Sequence, residues 1–289
     1  MIPFAYHRPA TLAEASALGE QFGACAAFLA GGTELIPDYQ RGRETAAHLI
    51  ALDGIRELRG IAVDGDTLRI GALTTVAEIA SSPLVARWLP ALAEAARSIG
   101  SPQIRSRATL GGNFCRAVSC ADLPPAAIAG GARLRLSSRG GERLVDAQEF
   151  FVASRRTVLT HGELLVELLL PAPGLSSGTS FQRFAHRRGM ALAVASVAAA
   201  LTLDGDRVGS ATIALGAVAP TPVIVHDAPS MLVGEVPSGD LFRRVALVCA
   251  EAARPISDIR GSADFRRELV AVLARRALEQ ATSRARGRT

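Results

Sequence analysis

Leu29-Ala30-Gly31-Gly32-Thr33-Glu34-Leu35 is the stretch on which the reading of this chain turns. It closes a small apolar run, residues 24–30, that predicts a buried strand, so the glycine pair falls where strand gives way to loop. A diphosphate is held by several backbone N–H groups aimed at one place, and residues lacking a Cβ let the main chain come that close. On this logic a Cβ at Gly32 would fill space the diphosphate needs, while Thr33 adds a hydroxyl donor. No Gly-Lys-Ser/Thr ending follows, which excludes a Walker loop. The pattern is not Gly-x-Gly-x-x-Gly either, so a Rossmann site is not indicated. Taken alone, a strand followed by two glycines is more often a plain turn.

A second segment, Ala108-Thr109-Leu110-Gly111-Gly112-Asn113, repeats the logic, with Asp122 nine residues beyond the Asn. The Thr hydroxyl and Asn amide suit phosphate or ribitol oxygens, and an acid such as Asp122 suits sugar hydroxyls. Its bland reading is a loop with an Asx turn. Two such loops in one domain would clasp a long diphosphate cofactor from both sides.

Outward from these loops, helix and hairpin signals alternate. Thr11 and Glu14 form a Thr-x-x-Glu capping box that opens a helix with Leu12, Ala15 and Leu18 on one face. Asp64-Gly65, between Ile61-Ala62-Val63 and Leu68-Arg69-Ile70, predicts a tight hairpin. Thr75 and Glu78 repeat the capping box, Ser82 precedes Pro83 as cap before first helical residue, and helix runs to Gly100 with a break near Pro90. Pro171-Ala172-Pro173-Gly174 with Ser176, Ser177 and Gly178 reads as a linker. Two apolar strands over 191–203 and 210–218 follow, joined through Asp204-Gly205-Asp206. The last helix begins near Ser262 and carries Phe265, Leu269, Val272 and Leu273 at helical spacing. An α+β domain over 1–174 and a smaller sheet-plus-helices domain over 175–289 are therefore expected.

Bulk composition agrees with two packed domains. The chain has 289 residues, 49% hydrophobic and 20% charged, enough for a sizeable core. Aromatics are only 4%, so Ala, Leu, Val and Ile must build that core. The formal charge of +5 comes from scattered arginines, and the one concentrated basic run is Arg284, Arg286 and Arg288. Without interleaved aromatics as stacking platforms, no nucleic-acid partner is expected. The apolar stretch 191–203 is too short and Ala-rich to span a bilayer, and no signal peptide is evident. Cys25, Cys115, Cys120 and Cys249 lack disulfide-framework spacing, and the reducing cytoplasm is the simplest location. His7, His48, His161, His186 and His226 look isolated, so no metal site is expected. Arg183, Arg187 and Arg188 read either as solvated charge or as a group that meets phosphates or an acidic partner surface.

Taken together, the motifs resemble the FAD-binding medium subunit of the molybdenum hydroxylases, the family of xanthine dehydrogenase and aerobic carbon monoxide dehydrogenase. The resemblance runs from Phe4 to about Ala281. It rests on AGGTEL at 30–35, Ile70-Gly71-Ala72-Leu73-Thr74-Thr75, ATLGGN at 108–113, Ala121-Asp122-Leu123-Pro124-Pro125, Glu163-Leu164-Leu165 and Asp258-Ile259-Arg260-Gly261-Ser262. It implies an α+β fold: a two-lobed FAD-binding domain of the PCMH type, then a smaller domain with an antiparallel sheet and helices. It implies noncovalent FAD, with Leu29, Ala30, Gly31, Gly32, Thr33, Glu34, Leu35 and Ile36 around the diphosphate. Thr109, Leu110, Gly111, Gly112, Asn113 and Asp122 would complete the site, Leu165 would touch the cofactor, and Arg183 would be a basic residue approaching it. Leu192 would pack near the isoalloxazine ring where some relatives place an aromatic, and Ala191 stands where an acid is often found. A related branch carries an extra iron–sulfur cluster after the second loop; here Cys115 and Cys120 run straight into Ala121, and read as free cysteines.

No nucleophile–base pair or paired catalytic carboxylates are visible, so the chemistry would belong to the flavin and no catalytic side chain is assigned. The resemblance implies substrate hydroxylation at a molybdenum cofactor in a large partner subunit. Electrons would then pass through two [2Fe-2S] clusters of an iron–sulfur small subunit to this FAD, and on to NAD+, oxygen or another external acceptor. A flavin-free scaffold or assembly protein of the same fold is the alternative of a different class. A self-contained flavin oxidase would need a substrate domain larger than the stretch beyond the linker provides.

Overall fold

The protein is described from a computed structural model covering residues 3–187 and 189–287; Arg188 and Arg288 lie outside the described residues. Three main sheets are laid down in chain order, with a fourth, two-stranded one inside the second lobe.

The first lobe alternates strand and helix: β1 (Ala5–His7), α1 (Leu12–Phe22), β2 (Ala26–Leu29), α2 (Leu35–Gln40) and β3 (His48–Ala51). The strands form a parallel sheet in the order β1-β3-β2. Thr11 caps α1 by accepting from the Glu14 N–H at 3.2 Å, while the Glu14 carboxylate accepts from Ala10 N–H at 2.8 Å, one residue earlier than a reciprocal box requires. β2 is shorter than the expected strand because residues 23–25 form a 3-10 turn after Gly23 (φ 50°).

The second lobe opens with the hairpin β4 (Ile61–Asp64) and β5 (Thr67–Gly71), turning at Gly65 with φ 56°. Helices α3 (Val76–Ser81), α4 (Pro83–Trp88), α5 (Pro90–Ser98), α6 (Pro102–Arg105), α7 (Leu110–Cys115) and α8 (Leu123–Ala129) follow. Thr75 and Glu78 make the full reciprocal box on α3, and Ser82 caps α4 ahead of Pro83. Strands β6 (Arg133–Ser138), β7 (Gly141–Asp146), a small pair β8 (Phe151–Ala153) and β9 (Arg156–Thr157), and β10 (Leu164–Pro171) complete the lobe. Its antiparallel sheet runs β4-β5-β10-β6-β7. One face buries Leu68, Ile70, Leu134, Leu136, Leu168 and Leu170 against the helices. On the other face, buried Glu167 accepts from Arg69 Nε at 3.0 Å and is ion-paired with Arg135 at 3.0 Å, these two arginines standing on the flanking strands.

The third sheet is antiparallel, β11 (Ser177–Phe184), β12 (Ala195–Asp204), β13 (Arg207–Gly216) and β14 (Val223–Ile224), followed by α9 (Ala228–Leu232), α10 (Gly239–Ala252) and α11 (Ala263–Ala285). Both faces are covered. Ala195, Val197, Ala199 and Leu201 point into the core shared with α10 and α11, while Ala198, Ala214 and Phe181 join the core of the second lobe. Small residues allow this double packing: a Cβ on Gly178 would fall 1.9 Å from the Ala281 carbonyl oxygen of α11, and one on Gly216 would fall 2.7 Å from the Pro125 ring.

Three sequence expectations change. The linker shrinks to residues 172–176, because Pro171 ends β10 and Ser177-Gly178 already belongs to β11. Residues 191–194 are not strand but a crossing segment before β12. The buried face of α11 is Val270, Leu273, Ala274, Ala277, Leu278 and Ala281, while Phe265 and Val272 are exposed, since the sheet below admits only a close-approaching, Ala-rich stripe.

Candidate cofactor site

Loops and helices of both N-terminal lobes and the segment before β12 enclose one cleft of about 610 Å³. Its walls are the β2–α2 loop (Ala30 to Leu35), the segment leading into α7 with its outward face (Ala108, Thr109, Gly112, Asn113, Cys115 and Arg116), and Ile99, Gly100 and Ile104 after α5. Met190, Ala191 and Leu192 reach in from the C-terminal part.

The two glycine loops do different work. Among the described residues, no protein acceptor takes the backbone N–H groups of residues 31–35; the internal bonds begin only with Ile36 N–H to the Gly32 carbonyl at 3.2 Å. A row of unpaired N–H groups in residues that line a cleft is a polar debt that an anion settles. In the second loop the N–H groups of residues 110–113 are already used. Leu110 donates to Thr74 O (3.0 Å), Gly111 to Ala72 O (2.7 Å), Asn113 to Thr109 O (3.0 Å), and Gly112 to the Thr109 hydroxyl (3.1 Å). That loop offers a flat floor, the Thr109 hydroxyl proton and the Asn113 side chain, whose buried Oδ1 has no hydrogen-bond partner.

The glycines are needed mainly for the protein's own packing. A Cβ on Gly31 would sit 1.9 Å from the Arg107 carbonyl oxygen, so this glycine lets one loop lie against the other. A Cβ on Gly111 would meet Ala72 at 2.9 Å. Gly32 has φ 73°, and its Cβ would point at Ile36 and Leu29, 3.2 Å from each, rather than into the cleft. The expected clash with a diphosphate at that position is thereby replaced by backbone strain and side-chain crowding.

Charge ties the loops together. Glu34 accepts from Arg116 Nε of α7 at 2.8 Å; Arg116 also pairs with buried Asp38 of α2, which Arg155 approaches at 3.5 Å. Arg116 is thus largely neutralised, whereas Arg41, on the cleft lining, has no acidic partner among the described residues. Sequence reasoning singles out neither Arg116 nor Arg41. A signal for Arg116 exists once α7 is recognised, since it stands four residues after Gly112 on the same helical face.

Of the other sequence-named residues, Leu29 packs in the first lobe's core with Ile36, and Leu110 and Leu165 lie in the second lobe's core. Asp122 and Arg183 sit behind the wall. The Arg183 Nε lies 3.3 Å from Asp122 Oδ1 without hydrogen-bond alignment, and Asp122 Oδ2 lies 3.3 Å from the Ser98 hydroxyl. Burial pushes the Asp122 carboxyl up to about 6, against the opposing pull of Arg183 and Ser98. None of Leu29, Ile36, Leu110, Asp122, Leu165 and Arg183 lines the cleft, and neither does Gly111.

The four cysteines are unbonded. Among the described residues, no group of three or more His, Cys, Asp or Glu is arranged to hold a metal ion. His7 and His48 are not isolated as expected: the parallel pairing of β1 and β3 places their ring nitrogens 3.0 Å apart, with Phe22 stacked on His48. No described helix is long and apolar enough to cross a membrane.

Comparison with known proteins matches residues 2–173 to the family of FAD binding domains in molybdopterin dehydrogenase, and residues 180–281 to the CO dehydrogenase flavoprotein C-terminal domain. The carbon monoxide dehydrogenase medium chain of Hydrogenophaga pseudoflava is 36% identical over 98% of this chain and 99% of its own. A solved carbon monoxide dehydrogenase from that organism superposes with a TM-score of 0.95, with 98% and 99% of the two chains covered. A putative xanthine dehydrogenase FAD-binding subunit of Escherichia coli is 32% identical over 100% of this chain and 99% of its own. The unpaired N–H row and the orphaned Asn113 oxygen fit such a cofactor. The chain belongs to the FAD-binding medium subunits of the molybdenum hydroxylases, components of oxidoreductases.

Proposed function

We propose that this chain is the exit station of a heteromeric dehydrogenase, taking electrons from an iron–sulfur small subunit that draws them from a molybdenum-binding large subunit, and passing them to an external acceptor. The observation that carries the reading is the unpaired N–H row of residues 31–35 opposite the committed floor of α7. FAD, when bound, supplies a centre that accepts electrons singly and releases them in pairs.

The chain's own residues position the cofactor. The N–H groups of residues 31–35 would donate to the diphosphate with Arg41 nearby, while along the floor the Thr109 hydroxyl would donate and the orphaned Asn113 Oδ1 accept. Ile99, Ile104, Met190 and Leu192 supply the cleft with apolar side chains against which the ring would pack. Leu192 offers no ring to stack, so contact there is by dispersion. Leu110, Gly111 and Leu165 support the floor from within the core, and Asp122 with Arg183 supports the wall. A division near residue 174 is supported by the second sheet ending at Pro171 and the third beginning at Ser177. The unbonded cysteines suit a reducing cytoplasm. The acceptor is NAD+, oxygen or another small oxidant; substrate choice lies in the large subunit.

Isolation of the native assembly tests this. The expected preparation holds this chain with one small and one large partner and releases one FAD per chain on denaturation, and its reduced flavin is reoxidised by NAD+ or oxygen in rapid mixing. A colourless chain that takes up no added FAD, alone or assembled, contradicts it.

A further inference from the structure

The segment 189–192 is the C-terminal part's contribution to the cleft, and the hydrogen bonds that hold it there converge on few groups. Met190 has φ 51°, a left-handed conformation that a long side chain adopts only when its surroundings enforce it. Its N–H donates to the Gly100 carbonyl at 3.1 Å, across to the opposite wall. Its carbonyl accepts from Arg187, and the Ala191 carbonyl accepts from Arg183 Nη2. Arg187 is exposed; Arg183 is largely buried.

Arg183 reaches three acceptors from one fork. Besides Ala191 O, its Nη1 donates to the Ser98 carbonyl at 3.0 Å, and its Nε faces the Asp122 carboxylate at 3.3 Å. Ser98 ends α5 immediately before the cleft residues Ile99 and Gly100, and Asp122 immediately precedes α8. One guanidinium on β11 therefore joins the wall after α5, the start of α8 and the 189–192 segment. The carboxylate compensates its charge where solvent is largely absent.

We propose that Arg183 is a positioning residue, the clasp that fixes segment 189–192 across the flavin cleft through the Ala191 carbonyl, so that its effect on the cofactor is exerted through Met190 and Leu192. The proposal rests on the cleft being the flavin site. Only a planar fork can hold all three groups at once. Lysine carries a single compact ammonium that can sit between Asp122 and the Ser98 carbonyl but cannot also span to Ala191.

Arg183→Lys, which keeps the charge beside Asp122, and Arg183→Met test it in the full chain. Two quantities are read: hydrogen exchange at the Met190 amide in the flavin-free protein, and the rate of FAD release, followed by flavin fluorescence, in the loaded protein. For Arg183→Lys, with a melting temperature close to the parent's, Met190 exchange and FAD release should each quicken about tenfold or more, the scale of losing one charged hydrogen bond. Arg183→Met should match or exceed this. Unchanged Met190 exchange in a folded Arg183→Lys overturns the clasp. Quickened exchange with unchanged FAD release overturns its role toward the cofactor. Should the parent chain bind no FAD, the functional reading fails, while the exchange measurement still decides the clasp.

Discussion

Gly31 and Gly111 illustrate how a glycine at a ligand site can be required by the protein's own packing. Each is small because another part of the chain lies where its Cβ would be, the Arg107 carbonyl for one and Ala72 for the other. Gly31→Ala should therefore force the two loops apart, costing about 1–3 kcal/mol as overpacking does, and lower FAD retention with it; urea unfolding and flavin content of one preparation check both. Gly32→Val adds a branched side chain at φ 73° and should cost at least ~1–2 kcal/mol through the left-handed backbone alone, with flavin lost as the loop shifts. A variant that keeps full stability and full flavin would refute the placement of either glycine. Asp122 gives a pH signature. Its carboxyl titrates at about 6 in the folded chain against 3.8 ordinarily, so above pH 6 folding bears the burial of a charge. As the pH falls through 6 the folded state takes up the proton first, and this group's contribution to stability rises until the unfolded chain also protonates near its ordinary value. Between pH 7 and pH 5 the flavin-free parent should gain about 1 kcal/mol relative to Asp122→Asn. An equal response from both proteins would show that Asp122 is not the group responsible.

Local chemistry announces the elements where side chain and backbone meet within a few residues. Thr75 with Glu78, Ser82 before Pro83, the Gly65 turn and Ser262 before α11 all stand where their residue types place them, because a cap or tight turn is a contact between near neighbours. The segment 191–194 reads as strand from its sequence, since apolarity alone does not distinguish a buried strand from a chain crossing a cleft. The inner face of α11 misleads for a similar reason: large apolar residues mark a stripe, yet the sheet accepts alanines and leaves Phe265 exposed. Most hidden is Arg266, wholly buried in α11, donating to the carbonyls of Val194 (3.0 Å), Ile256 (2.8 Å) and Ala217 (3.2 Å). Burial lowers its affinity for its proton, though three carbonyls and the Asp258 carboxylate at 3.8 Å make the charge tolerable. Arg266→Met should leave those buried carbonyls unpaired and destabilise the C-terminal part by about 3–5 kcal/mol in chemical denaturation; a loss below about 1 kcal/mol would mean that water replaces the guanidinium.

Across the whole molecule, the cleft exists because the β2–α2 loop, the helices of the second lobe and the segment before β12 come together. The glycine pairs and their order along the chain are legible in the sequence and point to a diphosphate cofactor, and the chain's relatives are FAD-binding medium subunits. The division of labour between the pairs is not legible, because which N–H groups remain unpaired depends on acceptors far away in sequence, such as Thr74 and Ala72 for the second loop. Nor can the sequence show Arg116 bridging Glu34 and Asp38, which binds α7 to the first lobe and fixes the width of the cleft. The most direct test of the central claim is a structure of the chain, alone or assembled, with FAD bound. The diphosphate oxygens should lie within hydrogen-bond distance of the N–H groups of residues 31–35, with the bonds of residues 110–113 unchanged. A diphosphate seated elsewhere, with those N–H groups still facing water, would contradict it.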